Sequence, residues 1–115
     1  MDLASRQSWF ATQPERFKLL LLIEVMHELT IVLRDISTTG DKNLMWRSAW
    51  LISECNHRLL GNASAVLTRQ PCYPDDVVVG ILFDYLDNQT LEPYTRNVWD
   101  RAVASATKFG ARLLS

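Results

Sequence analysis

The chain has 115 residues, 48% apolar and 22% charged, with a formal net charge of −1. That is room for one hydrophobic core and no second domain. The composition excludes general disorder, and the absence of any lysine or arginine cluster excludes the electrostatic footprint of a nucleic-acid binder.

From the amino terminus, Met1-Asp2-Leu3-Ala4-Ser5-Arg6 lacks the basic-then-apolar order of a secretion signal. Trp9 and Phe10 suggest a short extra helix that folds back over the rest. The first long helix opens at Thr12-Gln13-Pro14-Glu15, with a capping threonine, an early proline and a glutamate three residues on. It runs to Ile36 and stops in Ser37-Thr38-Thr39-Gly40-Asp41. Its longest aliphatic run, Leu19 to Ile23, ends at Glu24 and is too short to cross a bilayer.

The second helix spans about Asn43 to Arg69, ahead of Pro71. The third opens at Pro74-Asp75-Asp76, where a proline and two carboxylates suit a helix start, and ends near Asp87-Asn88. Val77-Val78-Val79-Gly80-Ile81-Leu82-Phe83 has the composition of a strand. No second strand is available to pair with it, and a lone strand leaves its backbone unsatisfied, so the spacing predicts a helix here. The fourth helix begins after Thr90, tolerates Pro93 in its first turn and reaches Lys108, before Gly110. The expected fold is all-α: a single-domain (1–115) four-helix bundle, up-down-up-down, with the short amino-terminal segment added. Cys55 lies in a helix and Cys72 in a connection, with no C-x-x-C pair. Both read as free thiols in a reducing cytoplasm.

Helical geometry gives the second helix two faces. Leu44, Leu51, Ile52, Cys55, Leu59, Ala63 and Val66 form the core stripe. At ~100° per residue, His57 falls about 160° from Cys55, on the face with Trp46, Trp50, Ser53, Leu60, Gly61 and Ser64. A glycine one turn after that histidine costs the helix ~1 kcal/mol relative to alanine, which suggests a bare backbone patch that something approaches.

His57-Arg58-Leu59-Leu60-Gly61-Asn62-Ala63 resembles the histidine phosphotransfer domains, whose motif is H-x-L-K-G followed by small residues. Those are four-helix bundles of about this length. The resemblance implies that His57 is the phosphoacceptor and that Gly61 admits a response-regulator receiver domain. Glu54, Asn56, His57, Arg58 and Asn62 also resemble the E-x-N-H-R-x-x-x-N string on the dimerisation helices of one group of sensor histidine kinases. Each likeness covers seven to nine residues. The family's phosphate-holding lysine is Leu60 here. Arg58, about 100° around the helix, would have to curl back to replace it, and Glu54 is placed to hold one imidazole tautomer.

Two other readings use the same residues differently. Glu24-Val25-Met26-His27 and Glu54-Cys55-Asn56-His57 are both Glu-x-x-His, the spacing that puts a carboxylate and an imidazole on one helix face. With Asp84 and Asp100 the set Glu24, His27, Glu54, His57, Asp84 and Asp100 is that of a carboxylate-bridged di-metal bundle. Against it stand the succession of both pairs on the first two helices, the shorter aspartates, and the outward aim of His57.

The first helix carries a core stripe of Leu19, Leu22, Ile23, Met26, Leu29, Thr30 and Leu33. Its opposite side is also apolar at Phe17, Leu20, Leu21 and Ile31, interrupted by Glu24 and Glu28. A helix apolar nearly all round is buried on more than one side. That predicts a two-fold homodimer through Phe17, Leu20, Leu21 and Ile31, or else cover by the Trp9-Phe10 segment within one chain. No glycine-rich phosphate loop, G-x-S-x-G elbow or cysteine–histidine knuckle is present, and no cofactor is implied. The expected function is work through protein contacts: phosphotransfer on His57 with a receiver domain as partner, or a non-catalytic interaction module of the same fold.

Overall fold

The computed structural model describes residues 3–68, 76–88 and 91–113. Among them all regular structure is helical: α1 (Leu3–Ala11), α2 (Glu15–Ser37), α3 (Lys42–Thr68), α4 (Asp76–Leu86), the single turn α5 (Glu92–Thr95) and α6 (Val98–Leu113). The strand-like run from Val78 to Phe83 lies within α4, as the lack of a pairing strand demands. No helix among the described residues is long and apolar enough to cross a membrane. Cys72 and the Pro74-Asp75 helix start lie outside the described residues.

Local chemistry sets the boundaries, with two departures from expectation. Thr12 closes α1 rather than opening α2: its hydroxyl donates to the Trp9 carbonyl at 2.7 Å. Pro14, which has no N–H to leave unsatisfied, stands at the start of α2 without a side-chain cap. At the other end of α2 the hydroxyls of Ser37, Thr38 and Thr39 donate to the carbonyls of Arg34, Asp35 and Ile36 at 2.6, 2.7 and 2.7 Å. These bonds satisfy carbonyls that a helix end leaves open. Gly40, at φ 80°, turns the chain, and the Asp41 carboxylate caps α3 by accepting the Leu44 amide at 3.0 Å. The second departure is the last helix. It breaks at Arg96-Asn97 into α5 and α6, and α6 then runs through the buried Gly110.

α2 is the hub of the molecule, with α3 and α6 packed along it. Leu19, Leu22, Met26 and Leu29 are buried as the spacing predicts, joined by Val25, Val32 and Ile36. From α6 come Val98, Trp99, Ala102 and Ala106, a stripe mostly small enough to let two helix backbones approach. The other side of α2 is covered from within the chain. Trp9 meets Phe17 and Trp99 edge-on, each with centroids 6.1 Å apart, and Phe10 meets Phe83 at 5.7 Å. One aromatic cluster thereby joins α1, α2, α4 and α6.

That cover corrects the predicted dimer face. Leu21 has no exposed surface and Leu20 has 5%, while Phe17 and Ile31 are half-buried. Side chains already sealed inside one chain leave nothing at Leu20 and Leu21 for a subunit contact.

Two long-range polar bonds tie the layers together. The Arg101 guanidinium donates to the mostly buried Glu28 carboxylate at 3.0 Å, joining α6 to α2. The Tyr85 hydroxyl donates to Ser48 at 2.8 Å, joining α4 to α3 inside the core. Burial pushes the Tyr85 phenol above its ordinary range, because the charged phenolate would lose its hydration, and the Ser48 hydrogen bond only partly offsets this.

Candidate functional site

The exposed chemistry gathers on the outer face of α3. Its inward face buries Ser48, Ile52 and Cys55, the last completely, and leaves Leu44 and Leu51 half-buried. Cys55 is a free thiol. The opposite face presents Lys42, Asn43, Trp46, Trp50, Ser53 and His57, all exposed. At ~100° per residue these six fall within a strip about 100° wide. Trp46 is 70% exposed and Trp50 64%, uncommon for residues that normally bury most of their area.

His57 therefore sits where the helical period puts it, in solvent and turned away from Cys55. Glu54 lies three residues earlier, half-buried and already engaged by a partner. Arg58 and Gly61 belong to α3 by backbone; their surroundings lie outside the described residues, as do the side chains of Leu60 and Asn62.

The di-metal set does not assemble. Among the described residues no three histidine, cysteine or acidic side chains converge as metal ligands. His27, His57, Asp84 and Asp100 are all exposed. Glu24 lines a small cleft with Ser105, Lys108 and Phe109, and Asp84 lies at the α3–α4 side with Arg47 and Asn88. The physical reason is the angular phase of α2. Glu28, one turn after Glu24, is the acid that turns toward the core, and Arg101 neutralises it.

Two concave surfaces flank the α3 strip. On one side a groove of about 450 Å3 runs between α2 and α3, floored by Leu33, Met45 and Ala49 and rimmed by Thr30, Arg34 and Trp46. On the other a cleft of about 300 Å3 between α3 and α4 holds Arg47, Asp84 and Asn88 over the Tyr85–Ser48 bond. Both were invisible along the chain, since each is assembled from residues of separate helices. The tryptophans were visible: an aromatic pair at i, i+4 on the face opposite a core stripe is the sequence signal of an exposed patch. Compared with models of known families, with curated proteins and with solved structures, the chain shows no match.

Proposed function

We propose that this chain is a histidine phosphotransfer-like module, a four-helix up-down-up-down bundle with α1 added, that receives or passes a phosphoryl group on His57 in a reducing cytoplasm. The observation that carries the reading is the position of His57: in solvent, on the middle of the longest helix, opposite the fully buried Cys55. A phosphoacceptor needs that placement, because the donor is another protein domain and must bring its aspartyl phosphate into line with the ring nitrogen.

The step is a simple exchange. The lone pair of a neutral imidazole nitrogen attacks phosphorus, the N–P bond forms as the O–P bond breaks, and the donor's aspartate leaves as a carboxylate. The other ring nitrogen keeps or releases its proton to water. Arg58 is the cation in sequence reach of the phosphorylated ring, Gly61 the backbone that lets the receiver approach, and the half-buried Glu54 flanks the acceptor one turn before.

Incubation with a phosphorylated receiver domain, or with a small acyl phosphate, is expected to label the protein with an acid-labile phosphate. His57→Gln removes the label, His27→Gln keeps it, and Gly61→Leu keeps labelling by the small donor while blocking the receiver. Wild type and Leu60→Lys both remaining unlabelled by either donor overturns the reading. The exposure of Trp46 and Trp50 favours the second reading, a non-catalytic interaction module, in that event.

A further inference from the structure

We infer that the cleft between α3 and α4 binds a small zwitterion, a free α-amino acid with an apolar side chain. The inference is independent of phosphotransfer. Ser48, on the cleft side of α3, comes nine residues before His57, which is about 180° around the helix.

Two helix faces build the cleft. α3 contributes Leu44, Arg47, Ser48 and Leu51, while α4 and the turn after it contribute Ile81, Asp84, Tyr85 and Asn88. Both sets step i, i+3, i+4, i+7, which is one side of a helix. The 2.8 Å bond from Tyr85 to Ser48 fastens the two faces at the cleft floor. Half-buried Leu44, Leu51 and Ile81 supply apolar wall, together with Leu91. The volume, about 300 Å3, is at the small end of ligand sites. At ~30 Å3 per water-sized group it has room for about ten, the size of leucine or methionine.

Charge selects the occupant. Arg47 stands on the α3 wall and Asp84 on the α4 wall, both exposed. Among the described residues neither makes an ion pair, with the other or elsewhere. A simple anion in the cleft would meet Asp84, and a simple cation would meet Arg47. The terminus of a partner protein supplies only one of the two charges. A free amino acid carries both, its carboxylate for the Arg47 guanidinium and its ammonium for Asp84.

The floor gives a second reason for the carboxylate. One hydrogen bond between two hydroxyls uses one O–H and leaves the other. Among the described residues that second O–H has no protein acceptor. Ser48 is 1% exposed and Tyr85 5%, and a buried donor left unpaired is costly. A carboxylate oxygen in the cleft accepts it.

The test is isothermal titration calorimetry of the full chain with L-leucine and with L-methionine. Saturable binding is expected, with a Kd on the order of 0.1–1 mM. N-acetyl-leucine, which lacks the ammonium, and isoamylamine, which lacks the carboxylate, are each expected to bind at least ~10-fold more weakly. Arg47→Gln and Asp84→Asn alter exposed side chains, so the helical circular-dichroism spectrum should not change. Each is expected to weaken leucine binding about 10-fold. No saturable binding of either amino acid overturns the site. So does equal binding of acetylated leucine or isoamylamine, or leucine binding indifferent to both variants. A chain that binds leucine yet takes no phosphate on His57 would overturn phosphotransfer alone and leave the amino-acid site standing.

Discussion

α2 and α3 make opposite uses of their apolar residues. α2 is apolar nearly all round, and Leu20 and Leu21, which the sequence offered as an interface, are buried inside the chain, with α3 and α6 packed along the helix. α3 looks more ordinary, with serines, asparagines and charges among its apolar positions, yet it leaves two tryptophans in solvent. Abundant hydrophobicity marked the core; the two aromatics set apart from a completed core stripe marked the surface that is still free. A helix's mean character is a poor guide to its partners, and the phase of its large residues a better one.

The sharpest way to break that comparison is to exchange perturbations between the two helices. Leu21→Ala empties a fully buried site and is expected to cost about 3 kcal/mol, whereas Trp50→Ser leaves monomer stability within about 0.5 kcal/mol of wild type. Urea unfolding at a concentration low enough to keep both proteins monomeric separates them. Equal losses would show that Trp50 belongs to the core and that the free face is an illusion.

A smaller effect distinguishes the polar ties of α2 from those on the surface. Arg101→Ala strands the Glu28 carboxylate, whose side chain is only 12% exposed, and is expected to cost about 1–2 kcal/mol. Arg96→Ala removes the partner of Glu92 in an i, i+4 pair at 2.8 Å with both side chains at least half exposed, and no change in the urea midpoint should be resolved. The Arg96 hydrogen bond holds the Glu92 carboxyl below its usual value, so the pair's small contribution is present above that usual range. It fades as the pH falls through the lowered value. Identical midpoint losses for the two variants would erase the distinction between buried and exposed pairs.

The smallest expected effect lies where α3 and α4 join. Tyr85→Phe leaves the buried Ser48 hydroxyl without its partner and is expected to cost about 1 kcal/mol. Because burial raises the Tyr85 pKa in the folded chain above 10.0, folding favours the neutral phenol. That stabilisation is complete below about pH 10 and lost as pH rises through the folded value. Phenolate absorbance should therefore show one tyrosine ionising late, and the late component should vanish in Tyr85→Phe. A single titration near the ordinary tyrosine range in wild type would contradict the buried Ser48–Tyr85 bond.

Periodicity alone was enough for the all-helical class, for Leu19, Leu22, Met26 and Leu29 of the α2 stripe, for Ile52 and Cys55 of the α3 stripe, and for the outward aim of His57, though it also placed Thr30 in the α2 stripe, where the helix leaves it exposed. Each of these depends only on the ~100° step between neighbours, which is local. The carbonyl-capping serine and threonines after α2, with Gly40 and Asp41, were legible as an end for the same reason. What the chain could not announce was which element covers which face. Thr12 was free by its type to cap either helix, and the neighbouring α1 decided that its hydroxyl returns to Trp9. Leu20 and Leu21 carried the same pattern whether a second copy or the chain itself sealed them; the fold buries both within one chain. Glu24 and Glu28 looked equivalent along the helix, and only the approach of Arg101 from α6, 73 positions away, singled out the second. The difference is physical: a helix face is set by backbone geometry within a few residues, while burial of that face is set by whichever distant apolar surface removes the most water from it.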